Sequence, residues 1–292
     1  MRSLWKPWFV YRPRQLARRV GRALAAPPAG LTAVTLPWGA TLAVNAGETV
    51  GKSIWTTGVY DIAVSEVLFR LTPAGGQAID AGANVGYMTS LLAAKAGPGG
   101  RVESFEPHPV VGQRLRDNVR HGAGPAVAAV GVHAVALSDA AGVARFVVPG
   151  DFAANEGIGY VAAGGEPAAN EITVPTATLD DLFPDRRFDV MKIDVEGHEA
   201  AVLRGARGLL GRGAIRHVVF EDHAIAASEP ARLLKAAGYT LLQLGWAMRG
   251  PVTAPLDAPR VCKDYEAASY LATLDAAGAA ALLAPRGWRI YG

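Results

Sequence analysis

Apolar and polar positions divide this chain into elements. Residues 31–50 alternate apolar and polar positions on either side of Pro37-Trp38-Gly39, which predicts a hairpin. Between 59 and 71, Val64, Val67, Leu68 and Leu71 recur at helical spacing. Pro73-Ala74-Gly75-Gly76 then breaks the pattern. From residue 77 the rhythm becomes strand, glycine turn, helix. Core strands are expected at 77–80, 101–106, 130–137, 188–194, 216–221 and 240–244. The intervening helices show apolar faces through Val85, Met88, Leu91 and Leu92, through Val111, Leu115 and Val119, and through Val202, Leu203, Ala206, Leu209 and Leu210. A further helix is expected at 231–237. Residues 143–148 and 172–174 read as extra strands, 180–183 as a helical turn, and 150–170 as a loop rich in Gly, Ala and Asn.

Strands alternating with helices at this pitch predict an α/β fold, a mostly parallel sheet with helices on both faces. No polar linker separates a second core, so one domain with an N-terminal extension is expected. The division falls into a basic aromatic arm and hairpin over 1–54 and a main domain over 55–292.

The composition excludes several classes. Half of the 292 residues are apolar and 19% are charged, which suits a folded globular chain and rules out low-complexity disorder. A single cysteine, Cys262, excludes an internal disulfide and a Cys-based zinc site, and nothing points to an oxidising compartment. The longest apolar stretch, 122–137, contains Pro125 and His133 and is short of a spanning helix. A cytoplasmic location is expected. Net charge is +3, but residues 1–22 hold seven basic residues and no acid, leaving 22 bases against 26 acids in the rest. A nucleic-acid enzyme more often spreads basic residues over its body. With Trp5, Trp8, Phe9 and Tyr11, the arm reads either as a peripheral membrane or partner-docking segment, or as a solvated arm or an N-terminal helix packed on the body. Pro7 and Pro13 interrupt any helix there.

Candidate chemistry follows from the strand ends, since ligands of open α/β sheets bind beyond the carboxyl ends of the strands. The first core strand ends in Asp80-Ala-Gly82-Ala-Asn84-Val-Gly86. The glycines allow a sharp turn and close backbone approach, and the next helix offers its N-terminal amides. The second strand ends in Glu106, 26 residues after Asp80, where a carboxylate can accept both hydroxyls of a ribose. The spacing is not the Gly-x-Gly-x-x-Gly of a dinucleotide site. Asp80 would repel a pyrophosphate, yet it can hold an ammonium group. That charge pattern favours S-adenosylmethionine over NAD. Ser138-Asp139, after the third strand, is placed to accept from the adenine amine or to form a turn. The fourth strand runs into Asp194-Val-Glu196-Gly-His198-Glu199. Asp194 and Glu196 can position an acceptor hydroxyl, take its proton or hold a divalent cation, which leaves metal use open. His198 is a candidate base, because imidazole titrates near neutrality. Glu199 is either part of this cluster or a charge favouring the helix N-terminus. The fifth strand ends in Glu221-Asp222-His223, where His223 is another candidate base or a structural histidine.

At these residues the chain resembles the FkbM family of S-adenosylmethionine-dependent methyltransferases. The resemblance covers roughly residues 55–245. It rests on DAGANVGYMTSLLA (80–93), VESFEPHP (102–109) with Asn118 beyond it, VALSDAAG (135–142), TLDDL (178–182) and MKIDVEGHEAAVLRGARGLL (191–210). It implies the class I methyltransferase, Rossmann-like fold: a seven-stranded, mostly parallel sheet whose last strands form an antiparallel hairpin, assigned to 240–244 and 252–256. It further implies that Asp80, Gly82, Asn84 and Gly86 line the methionine end of the cofactor, with Glu106 on ribose and Ser138 and Asp139 near adenine. Asp194, Glu196 and Glu199 would face the acceptor. Tyr60-Asp61 stands where family members often carry Tyr-Glu, so the shorter Asp61 would reach the cofactor's amino group through water. Family members mostly O-methylate sugars or natural products, which implies a hydroxyl-bearing sugar, glycolipid or secondary metabolite as acceptor.

Three other functions compete. An NAD-linked sugar oxidoreductase would need Tyr-x-x-x-Lys, and no tyrosine here has Lys four residues later. A non-catalytic, membrane-associated accessory protein would need a degenerate pocket, against which Asp80, Glu106 and Asp194 stand intact. A nucleic-acid base methyltransferase would carry an Asn-Pro-Pro-Tyr-type loop where Asp194-Val-Glu-Gly stands.

Overall fold

The computed structural model describes residues 17, 20–22, 24–122, 126–148, 159–162, 170–222, 225, 228–262 and 268–291. Most of the arm, most of the 150–170 loop and His223 lie outside the described residues. The chain opens with the expected hairpin, β1 (Leu31–Thr35) and β2 (Thr41–Asn45), then α1 (Thr49–Thr57) and α2 (Ile62–Leu71). The strand–helix alternation follows as β3 (Gln77–Ala81), α3 (Tyr87–Ala96), β4 (Arg101–Phe105), α4 (Pro109–Gly122) and β5 (Ala129–His133). Next come β6 (Ala136–Leu137), β7 (Gly142–Val147), β8 (Tyr160–Val161), β9 (Glu171–Ala177) and α5 (Leu179–Leu182). The rest is β10 (Phe188–Ile193), α6 (Glu199–Arg204), α7 (Arg207–Gly211), β11 (Ile215–Glu221), α8 (Glu229–Ala236), β12 (Thr240–Ala247), β13 (Gly250–Pro255), β14 (Ser269–Thr273) and α9 (Ala276–Leu283).

The main sheet has the order β13-β12-β14-β11-β10-β3-β4-β5. Strands β5, β4, β3, β10 and β11 are parallel neighbours, and β14 is antiparallel to both β11 and β12. This is the class I methyltransferase arrangement. The sheet has eight strands rather than the expected seven. The expected hairpin of 240–244 and 252–256 is present as β12 and β13, with β13 at the sheet edge; the strand not anticipated is β14, which enters antiparallel between β11 and β12. Pro251 and Pro255 suit an edge, since proline cannot donate to a neighbouring strand.

A second correction concerns 130–137. This stretch divides: β5 completes the main sheet beside β4, whereas β6 pairs with β9 in a separate four-stranded sheet of order β6-β9-β7-β8. The partners of β6 are supplied by the extra strands at 142–147 and 171–177, so no local pattern could reveal the break. The helix expected through 202–210 is also broken, into α6 and α7. A Cβ on Gly205 would lie 1.9 Å from the Ser138 carbonyl oxygen, so the backbones touch there. Asp180 then accepts from the Gly208 and Leu209 amides at 2.6 and 2.8 Å and starts the second helix.

Apolar side chains pack on both faces of the main sheet. One cluster joins Ala78 and Val190 to α2, α3, α9 and the hairpin residues Val34, Leu42 and Val44. The other joins Ile79, Met191 and Val218 to the helices from α5 to α8. The hairpin therefore shares the core of the 55–292 body. Asn118 fixes it: its Oδ1 accepts from Ala43 N at 2.8 Å, and its Nδ2 donates to the carbonyls of Ala43 and Val85. A buried ion pair anchors α2. Arg70 Nε donates to Glu66 Oε1 at 2.6 Å, and both side chains are fully buried. Arg70 also donates to the carbonyls of Leu283, Pro285 and Gly287, while Glu66 accepts from the amides of Arg289 and Ile290. The C-terminal segment is thus clamped to α2.

Two turns at the carboxyl end of the sheet touch. Gly82 has φ +74°, and a Cβ there would lie 1.8 Å from the Asp194 carbonyl oxygen. Gly86, at φ +93°, leaves space filled by Leu115. Gly82 is therefore demanded by packing against the Asp194 backbone, and Gly86 by its left-handed backbone.

Arg70→Met should lower unfolding free energy by about 3–5 kcal/mol in urea titrations, because it strands Glu66 without its cation. Gly82→Ala should cost about 1–3 kcal/mol from its left-handed backbone alone, with more from the Cβ contact, read as a fall in Tm.

Candidate active site

Strand order reverses between β3 and β10, the usual place for a ligand in an open α/β sheet. A cleft of about 1430 Å³, its open mouth included, lies there. Its floor is the carboxyl ends of β3, β4, β10 and β11. Tyr60, Asp61 and Val64 at the start of α2 form one wall, and Leu137, Phe146 and Val161 form another.

Of the residues expected at the site, Asp61, Gly82, Asn84, Glu106, Asp194, Glu196 and His198 line this cleft. Asp80 lies beneath it, fully buried. Its Oδ2 accepts from Thr89 Oγ1 at 2.6 Å, and its buried Oδ1 has no hydrogen-bond partner. Gly86 sits behind the turn against Leu115. Ser138 and Asp139 turn away: Ser138 Oγ lies 3.0 Å from His198 Nε2, and Asp139 pairs with Arg204 at 2.8 Å. The neighbouring Ala136 and Leu137 line the cleft instead. Glu199 is used locally, accepting from Gly197 N at 3.1 Å and Val195 N at 3.4 Å. It borders a second, acidic hollow shared with Asp194, Glu196, Glu221 and Asp222.

The cleft has two chemically different ends. At one, Glu106 accepts from Asn84 N at 3.0 Å and His108 N at 2.9 Å. Asn84 adopts φ +49°, which turns its amide toward that carboxylate. Burial nevertheless pushes the Glu106 carboxyl up to about 7. His108, Phe146 and Leu137 also line the cleft. At the other end are Asp61, Asp194, Glu196 and Glu221, with Tyr60. Burial and the Asp194 and Glu199 charges raise Glu196 to about 7. Burial, then Asp194 and Glu196, raise Glu221 to about 8. Tyr60 is pushed up by burial and by Asp194 and Asp61, so its phenol stays protonated. Burial lowers the His198 imidazole, favouring its neutral form.

Lys192 was missed by the sequence reading. It is the one lysine or arginine among the described residues lining the cleft. A lysine inside the apolar run Val190-Met191-Lys192-Ile193 was the available signal, because a buried strand holds a charge only against partners. Glu221 was visible as a strand-end acid, but its place on the cleft wall depends on β11 lying beside β10. Among the described residues no group of three or more His, Cys, Asp or Glu side chains is arranged to hold a metal ion. No described helix is long and apolar enough to cross a membrane.

Comparison with known proteins matches residues 80–241 to the methyltransferase FkbM domain. The chain is 32% identical over 246 residues to 31-O-demethyl-FK506 methyltransferase FkbM of Streptomyces tacrolimicus, covering 71% of this chain and 88% of that protein. It is 30% identical over 162 residues to hexuronic acid methyltransferase AglP of Haloferax volcanii, covering 54% of this chain and 61% of that one. Among solved structures, methyltransferase FkbM from Methylobacillus flagellatus aligns with TM-score 0.41 and 15% identity, over 67% of this chain and 43% of that one. An S-adenosylmethionine-dependent O-methyltransferase from Thermotoga maritima aligns with TM-score 0.42 and 12% identity, over 86% and 95%. The fold assignment rests on the chain's own strand order. With the domain match spanning more than half the sequence, and a relative covered over most of its length, the chain belongs to the FkbM methyltransferase family.

Proposed function

We propose that this protein transfers the methyl group of S-adenosylmethionine to a hydroxyl of a sugar, glycolipid or secondary metabolite. One observation carries the reading: a single cleft joins a carboxylate suited to a ribose diol, Glu106, to a group of carboxyls with raised proton affinity, Glu196 and Glu221. The O-methylation in the name of the Streptomyces relative and the sugar acid in that of the Haloferax relative support a hydroxyl acceptor.

The residues fit this cofactor. Asp80 lies buried beneath the glycine turn with Lys192 as its counter-charge, so it would support the turn rather than touch the cofactor. Glu106 retains acceptor capacity beyond its two backbone donors, and two hydroxyl donors would hold it ionised. The described lining residues include no arginine, and their one lysine, Lys192, is already engaged by Asp194 and Asp80, which leaves no cation for a pyrophosphate. When bound, S-adenosylmethionine supplies a methyl group on a sulfonium, open to in-line attack. Tyr60, Asp61, Asp194, Glu196 and Glu221 surround the other end, where the acceptor would lie. A sugar hydroxyl is a weak acid, so a carboxylate must accept its proton as the oxygen–carbon bond forms and the carbon–sulfur bond breaks. Glu196 and Glu221 hold protons more tightly than ordinary carboxyls, and that basicity suits them to the task. Asp194, between them and the cofactor turn, would orient the hydroxyl. His198, 3.0 Å from Ser138 Oγ, would be a further candidate base on the cleft lining.

Calorimetric titration should show S-adenosylhomocysteine binding at micromolar level and NAD not binding. Glu106→Ala should weaken that binding by about 1–3 kcal/mol. Binding of NAD alone, or unchanged affinity in the variant, would reject the assignment. Glu221 also makes a stability prediction. A carboxyl raised to about 8 in the folded state, against about 4.3 unfolded, binds more protons when folded. Its contribution is therefore present at low pH and lost as pH rises from about 4 to 8. Glu221→Gln should raise Tm at pH 8 and flatten the decline between pH 5 and 8. An unaltered profile would show that Glu221 titrates normally.

A further inference from the structure

Lys192 is buried, only 6% exposed, at the carboxyl end of β10. Parallel pairing sets it directly beside Asp80 on β3, and strand periodicity puts Asp194 on the same side two residues later. Its ammonium makes three approaches. It donates to the Gly82 carbonyl at 2.9 Å, lies 3.2 Å from Asp194 Oδ2 and 3.7 Å from Asp80 Oδ1. The three partners belong to three parts of the reaction site: the glycine turn, the acid facing the acceptor, and the buried acid beneath the turn.

We propose that Lys192 is a positioning residue, whose ammonium holds the Gly82 turn and the Asp194 carboxylate in one fixed relation and so aligns cofactor with acceptor. The inference rests on the S-adenosylmethionine reading of the cleft and adds a residue to it.

An ammonium has three donor hydrogens, so one group can join the Gly82 carbonyl and the Asp194 carboxylate at once. The arrangement is also a charge sandwich, carboxylate–ammonium–carboxylate, in which the cation offsets the repulsion between the two acids. Burial opposes the Lys192 charge, but Asp194 and Asp80 outweigh it and hold the ammonium protonated. Burial pushes Asp80 up, and Lys192 with Thr89 pulls against that. The charged groups around Lys192 are Asp80 on β3, Glu106 after β4, and Asp194 and Glu196 after β10. A merely neutralising lysine would need Asp80 alone. The hydrogen bond to Gly82 and the closer contact to Asp194 say more than neutralisation. Alignment of the reacting groups is the main task in a direct displacement.

The test uses the full chain as wild type, Lys192→Met, Lys192→Gln and Lys192→Arg. Thermal unfolding establishes which variants are folded. Calorimetry with S-adenosylhomocysteine at pH 6, 7, 8 and 9 reads the site. Amide hydrogen exchange of peptides covering 81–87 reads the turn, with β12 peptides as the internal control. In Lys192→Met, affinity should fall tenfold or more and become pH-dependent, since the paired acids then share a proton. Exchange over 81–87 should quicken while β12 is unchanged. Lys192→Gln, which keeps a donor for Gly82 but no charge, should protect the turn better than Lys192→Met yet retain the pH dependence. Lys192→Arg should restore the charge and flatten the pH dependence. If Lys192→Met does not fold, Lys192→Gln carries the test: wild-type affinity at every pH, with wild-type exchange, would overturn the proposal. Affinity lost equally at every pH together with faster exchange in β12 would also overturn it, as a general loss of packing. If the wild type binds no S-adenosylhomocysteine, the cofactor reading fails. The exchange comparison then decides the Lys192 inference, with unchanged protection over 81–87 overturning it.

Discussion

The site depends on the contact between the turn after β3 and the turn after β10. Asp194 N donates to the Ala81 carbonyl at 3.1 Å, extending the strand pairing one residue beyond the sheet. Gly82 is left-handed there, at φ +74°, and the Asp194 carbonyl also occupies the volume a side chain would need. Lys192 ties the same two turns from below. Because the chain leaves β3 toward β4 and leaves β10 toward β11, on opposite sides, the sheet leaves a crevice above them. The crevice stays open because the surrounding elements are held elsewhere: α2 by the Glu66–Arg70 pair, the hairpin by Asn118, and the small sheet by β6–β9 pairing. The cleft is therefore a consequence of strand order, and its walls are set by contacts distant in sequence.

Charge is distributed unevenly along that cleft, and this imposes a cost on the fold. Raised carboxyls at Glu106, Glu196 and Glu221 mean that each would be easier to ionise in the unfolded chain. Strongly perturbed acids gather at functional sites because the chemistry needs proton affinities near neutrality. Stability lost there is offset where charge is paired. Glu103, buried in β4, is pushed up by burial but pulled down to about 2 by His133, Arg101 and Arg186. Glu66 and Arg70 satisfy one another and five backbone groups of the C-terminal segment. The protein thus carries two kinds of acid, one buried and locked by cations, the other lining the cleft and left able to exchange a proton.

Much of this organisation is written locally. The strands at 77–81, 101–105, 188–193 and 215–221 follow from short apolar runs, and the turn after Asp80 from its glycines. Strand-end acids were visible for the same reason: a charge at the edge of an apolar run marks where the chain leaves the core. The family motifs add order and spacing to these signals. What was illegible depends on partners. Residues 130–137 look like one strand, yet β5 and β6 join different sheets. Ser138 and Asp139 follow a strand in the expected way, yet His198 and Arg204 claim them. Glu199 belongs to the motif, yet its carboxylate closes its own turn.

The sequence by itself determined the element types, their order, the glycine turn, the acids at the strand ends and the methyltransferase family. These depend on periodicity, backbone conformation and spacing within a few tens of residues. Only the tertiary structure decided that β14 enters between β11 and β12, that Lys192 stands between Asp80 and Asp194, and that Glu221 shares a wall with Glu196. Those facts depend on strand order and register. Pairing energy comes from backbone groups that every residue carries, so a single strand does not reveal which neighbour it will take. The proton affinity of each acid is decided later still, by the charges and the depth of burial that the assembled sheet brings around it.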